Sequence, residues 1–135
     1  MDKGYVMVAM GDDYVLQACL CAISIKKTQT IKNVTLITSD KVQDKYKNLF
    51  DKIIEVPWHD KHSKSFYKTE HRWKVFHLTP YEETVVLDTD MLFLSDISYW
   101  WKYFEQKLNI FFDPFLNITF CCRSHFSSFK LSTFK

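Results

Sequence analysis

Strand-length apolar runs alternate with helix-length segments along this chain, and that alternation leaves few folds open. Tyr5-Val6-Met7-Val8-Ala9-Met10 is apolar throughout, the pattern of a strand buried on both faces. Gly11-Asp12-Asp13 breaks the run. Either Asp can cap the helix predicted over residues 14–27, which is apolar on most sides. Val34-Thr35-Leu36-Ile37-Thr38 reads as a second strand. Asp40, with Gln43 at the capping-box position, opens a second predicted helix with an apolar face of Val42, Tyr46, Leu49 and Phe50. Ile53-Ile54-Glu55-Val56 is a third strand, stopped by Pro57. After a polar connection and a helix ending before Pro80, Thr84-Val85-Val86-Leu87 forms a fourth. A short strand is predicted at residues 91–94, then a helix marked by Ile97, Trp100, Trp101 and Phe104. This order argues for an α/β fold with a doubly wound, mostly parallel sheet. Ligands of such sheets bind beyond the carboxyl ends of the strands, so residues 10–14, 39–40 and 88–90 are the positions to examine.

With 135 residues the chain makes one domain, large enough to bury a core without disulfides. The net charge of +2 gives no case for a nucleic-acid partner. No apolar run is long enough for a membrane span, and Met-Asp-Lys-Gly leads straight into the first strand, so no signal peptide is expected. Cys19/Cys21 and Cys121/Cys122 lack the CxxC spacing of a zinc site and read as free thiols of a cytoplasmic protein. Residues 113–135 carry three basic side chains and one acidic one, leaving 15 of each to the first 112. All the net charge therefore lies in this tail, which has no clear helical or strand period. We expect residues 1–112 to form the fold and 113–135 to stand apart from it.

Asp88-Thr89-Asp90 is the sharpest chemical signal. Two carboxylates, one residue apart, end an apolar strand, where leaving both charges without a partner is costly. A divalent cation with oxygen ligands, magnesium or manganese, would stabilise both and could bridge to a diphosphate. The plainer reading is that one Asp caps a helix or pairs with a nearby Lys or Arg. His59, His62, His71 and His77 lack the HExxH spacing of a zinc protease and read as surface histidines. Trp100 and Trp101 with Tyr99 and Tyr103 could stack on a sugar, but the spacing of Ile97, Trp100, Trp101 and Phe104 suits a core face better.

The run Val85-Val86-Leu87-Asp88-Thr89-Asp90-Met91-Leu92-Phe93-Leu94-Ser95-Asp96-Ile97 resembles the DxD segment of glycogenin-like, family 8 glycosyltransferases. Val8-Ala9-Met10-Gly11-Asp12-Asp13-Tyr14 is similar to the family's first strand and nucleotide-binding turn, and Ser24-Ile25-Lys26 to the end of its first helix. The resemblance extends from about Gly4 to Phe112. It implies the GT-A fold, a Rossmann-like arrangement, and retaining, metal-dependent transfer of a sugar from a nucleotide-sugar donor, UDP-linked, to an unknown acceptor. Carried over residue by residue, it implies that Val8, Met10, Gly11 and Tyr14 contact the uridine, and that Arg72 reaches the donor. Asp88 and Asp90 would hold Mn2+ or Mg2+ and serve as the catalytic pair, with Asp88 also close to the donor ribose or sugar. The Tyr14 ring could stack on the base or simply pack at the start of the helix. Arg72 could fork onto phosphate or be a solvated helix charge beside Lys68 and Lys74.

The family also has a downstream His segment followed by Gly and Lys, which completes the metal site and holds the diphosphate. Here 45 residues follow Asp90, and His125 is followed by Phe126-Ser127-Ser128-Phe129-Lys130 with no Gly. The alternative to an active transferase is thus a truncated, inactive nucleotide-binding fragment, prone to self-association through an exposed sheet edge. A second alternative is a haloacid-dehalogenase-like phosphatase, whose first motif is also an apolar strand ending in DxD with the first Asp as nucleophile.

Overall fold

The computed structural model describes residues 2–58, 74–102, 110–113 and 118–122. It has an α/β fold. The elements are β1 (Lys3–Val8), α1 (Asp12–Thr28), β2 (Val34–Thr38), α2 (Asp44–Lys47), β3 (Lys52–Glu55), α3 (Val75–Leu78), β4 (Glu83–Leu87), β5 (Ile110–Asp113) and β6 (Ile118–Cys122). They form one sheet in the order β3-β2-β1-β4-β6-β5. The first four strands in that order are all parallel, while β6 runs antiparallel to both β4 and β5.

The central strands are apolar on both faces because both faces are covered. Tyr5, Met7, Leu36, Val85 and Leu87 pack with Val15, Ala18, Ala22 and Ile25 of α1 and with Phe93 and Trp101. Val6, Ile37 and Val86 pack with Val75, Tyr81 and Val56 in a second buried cluster. Tyr5 is fully buried, with the Trp101 ring edge-on at 5.5 Å and Phe93 at 5.9 Å. The Trp101 indole N–H donates to the Tyr5 hydroxyl at 3.2 Å. Trp101 is thus a core side chain, whereas Tyr99 is exposed.

Several expectations change. Gly11, not an Asp, is the N-cap of α1; Asp12 and Asp13 sit in its first turn, where their charge complements the positive end of the helix. The second helix shrinks to the single turn α2, because Asp40 does not cap it: its carboxylate is engaged with Gly11. Val42 and Phe50 are buried all the same. No strand forms over residues 91–94. The Phe93 N–H donates to Ser24 Oγ (3.0 Å) and the Ile97 N–H to Gln29 Oε1 (3.0 Å), while Gln29 Nε2 donates to the Ser95 carbonyl (2.7 Å). Side chains from the end of α1 thus take groups that a neighbouring strand would otherwise take, which satisfies the backbone without a ladder. Beyond residue 112, Ile118–Cys122 is hydrogen-bonded between β4 and β5, so this part of the tail belongs to the sheet. Among the described residues no helix is long and apolar enough to cross a membrane.

Tyr81 gives the fold a sensitivity to alkali. Its ring is fully buried and its hydroxyl accepts from Thr35 Oγ1 at 2.8 Å. Burial pushes its pKa from 10.0 up to about 12, the Thr35 bond opposing that rise and the Asp51 charge adding to it. A raised folded pKa gives stability that is complete below the unfolded value and is lost as pH rises through the folded one. Urea unfolding should therefore report falling stability between about pH 10 and about pH 12. Tyr81→Phe should make that part of the profile shallower, leaving the share that comes from the Cys21 thiol and the Tyr5 hydroxyl, which burial also raises; an unchanged profile would refute the assignment.

Candidate functional site

Strand order sets which loops lie together at the ends of the sheet. The chain steps from β1 outward to β2 and β3, then crosses back to β4 on the other side of β1. The order reverses between β1 and β4, and the crevice beyond the carboxyl ends at such a reversal is the usual ligand position of an open α/β sheet. Met7 pairs with Leu87 and Val8 with Ile37. The segments leaving β1, β2 and β4, namely Gly11 to Tyr14, Ser39-Asp40 and Asp88-Thr89-Asp90, therefore emerge side by side. With about 4.8 Å between neighbouring strands, the ends of β2 and β4 lie roughly 10 Å apart.

The turn after β1 depends on glycine. Gly11 has φ 110°, a backbone region that side chains strain to enter. Its N–H donates to Asp40 Oδ2 at 2.7 Å, which ties the start of α1 to the end of β2. Ser39 holds the same junction from its other side, donating to the Met10 sulfur from N (3.3 Å) and Oγ (3.2 Å). Met10 is buried and Val8 half-buried. The Tyr14 ring borders Gly11, its Cδ2 lying 3.6 Å from where a Cβ would stand, and is 40% exposed. Of the four residues matched to uridine contacts, Tyr14 is exposed, Gly11 and Val8 are half-buried, and the Met10 side chain belongs mostly to the core.

The turn after β4 rests on α1. Thr89 is buried and its Oγ1 donates to Gln17 Oε1 at 3.1 Å. Asp88, before it, is half-buried, and Asp90, after it, is exposed. One helical turn beyond Gln17, burial pushes the Cys21 thiol up to about 12, with the Asp90 charge adding to the rise, so Cys21 stays protonated. Arg72 lies outside the described residues, as do His59, His62, His71 and His125.

Negative charge dominates this end of the sheet: Asp12, Asp13, Asp40, Asp88 and Asp90 all occur in these segments. In dinucleotide-binding folds of similar strand order, the diphosphate sits on free N–H groups at the start of the first helix. Here the Gly11 N–H is already bonded to a carboxylate, and two more carboxylates follow in the first turn. A diphosphate would need a cation beside it. Among the described residues no group of three or more His, Cys, Asp or Glu side chains gathers. Asp88 and Asp90 are the two carboxylates here that could serve magnesium or manganese, ions that take one or two carboxylates and complete their shell with phosphate oxygens and water.

An open groove of about 620 Å³ flanks the end of β2, lined in part by Ser39, Asp40, Lys41, Lys47 and Glu55. Sequence reasoning singled out Asp40 as a residue beyond a strand end but not its hold on Gly11. It missed Gln17, whose only signal was an amide within an otherwise apolar stretch of α1. In comparison with known proteins, no family model and no curated protein matches the chain.

Proposed function

We propose that the chain binds a nucleoside diphosphate sugar, UDP-linked, beyond the carboxyl ends of β1, β2 and β4. It would act as the nucleotide-binding part of a metal-dependent, retaining glycosyltransferase with a doubly wound GT-A domain. The observation that carries this reading is the strand reversal between β1 and β4, which brings the Gly11–Tyr14 turn beside Asp88 and Asp90. The exposed Tyr14 ring offers a face to the base, and the groove beside Asp40 offers room for the nucleoside. Asp88 and Asp90 would hold Mn2+ or Mg2+ with the diphosphate. Such an ion, when bound, offsets the charge on the departing diphosphate. The chain's own residues orient the donor: Gly11 keeps the nucleoside turn open, Asp40 fixes that turn to β2, and Thr89 fixes the carboxylate pair to α1.

The phosphatase alternative is less well supported, because Asp88-Thr89-Asp90 follows the fourth strand rather than the domain's first. Calorimetric titration with UDP tests the proposal. Binding is expected with manganese present and should weaken by at least about tenfold after chelation, since one or two carboxylates plus phosphate oxygens make the metal site. UDP affinity indifferent to manganese, or no binding at all, would reject it. Magnesium-dependent phosphate release without sugar transfer would favour the phosphatase.

A further inference from the structure

We infer that Gln17 is a positioning residue, holding the Asp88-Thr89-Asp90 turn in register with the Gly11–Tyr14 turn through its bond to Thr89. This inference rests on the reading of Asp88 and Asp90 as cation ligands. Asp88 and Asp90 follow β4 with no strand directly after them, since residues 91–97 run as a loop. Such a segment has no strand ladder of its own. Thr89, 9% exposed, is anchored through its hydroxyl by Gln17, 72 positions earlier in the chain. Gln17 belongs to the same helix whose N-cap is Gly11 and whose first turns carry Tyr14. The far end of that helix holds the continuation of the loop through Ser24 and Gln29. One rigid element therefore carries the nucleoside turn at its start and the carboxylate turn a turn and a half later. The spacing between base and diphosphate then becomes a property of α1 rather than of two independent loops. Thr89 is buried between a half-buried Asp88 and an exposed Asp90.

The test compares the parent chain with Gln17→Ala, Thr89→Val, the double variant and Thr89→Ser. Two quantities are read in each: amide hydrogen exchange over residues 88–91, and affinity for manganese(II) alone by electron paramagnetic resonance. Urea midpoints separate local loosening from general destabilisation. Losing one neutral hydrogen bond should speed local exchange and weaken manganese binding by about three- to tenfold in Gln17→Ala and in Thr89→Val. The double variant should be no worse than either single one, because both remove the same bond. Thr89→Ser keeps the hydroxyl and should behave as the parent. Unchanged exchange in both single variants overturns the positioning role, whatever manganese does. Faster exchange with unchanged manganese affinity overturns it as well. Should the parent itself bind no manganese, the proposed function falls, and with it any role of Gln17 toward a cation. The exchange data would still say whether α1 holds the turn.

Discussion

Replacing Gly4 by alanine is expected to destabilise the protein by about 3 kcal/mol, by overpacking and the loss of a buried hydrogen bond. Gly4 lies in β1 opposite Thr84 of β4. A Cβ there would stand 2.4 Å from Cε2 and Cζ of the Tyr81 ring. That ring has no free direction in which to move. It is fully buried, and its hydroxyl accepts from Thr35 in the neighbouring strand. Swinging it aside would break that bond and disturb Val6, Ile37, Val75 and Val86, the cluster in which it packs. Thermal unfolding should fall by roughly 10 °C. The mechanism makes a sharper demand in a Tyr81→Ala background. There Gly4→Ala should cost little further, because the ring that the methyl group meets is gone. Equal costs in both backgrounds would show that the strand, and not the ring, requires glycine.

The second large effect concerns binding. Asp88→Asn with Asp90→Asn should lower manganese-dependent UDP affinity by more than about 100-fold, given that even supporting groups around a metal change affinity by roughly 10–100-fold. Asparagine keeps the shape and one acceptor oxygen but removes the charge that draws a hard cation. Asp90 is exposed, so Asp90→Asn alone should change stability by no more than about 0.5 kcal/mol. Any residual metal-free affinity, which would come from the Gly11 and Tyr14 side of the site, should survive in the double variant. Manganese-dependent UDP binding that persists with both carboxylates neutralised would end the transferase reading.

The two predictions draw on different levels of the structure. Gly4 is one of only two glycines in the chain, yet nothing nearby in sequence announces that Tyr81 lies over it. The Asp88/Asp90 pair is visible in the sequence as charges at the end of an apolar run, but the company it keeps is not. Gly11 and Asp40 lie 29 positions apart, and Gln17 and Thr89 lie 72 apart. Such contacts are set by which strands lie side by side, and strand order is not encoded in periodicity.

By itself the sequence determined β1 to β4, α1, the helical turn α3 before Pro80 and the α/β class. Central parallel strands must be apolar on both faces, and a helix that covers them must carry apolar residues on its inner side. It also determined that two carboxylates follow β4. Tertiary structure alone decided the rest. The helix expected to follow an Asp40 cap shortened to one turn once Asp40 was committed to Gly11. The strand expected at 91–94 became a loop because Ser24 and Gln29 took backbone groups there. Ile118–Cys122 joined the sheet by pairing with β4, although its surroundings in sequence gave no strand signal. In each case a local preference worth a fraction of a kcal/mol per residue was outweighed by hydrogen bonds made to distant parts of the chain.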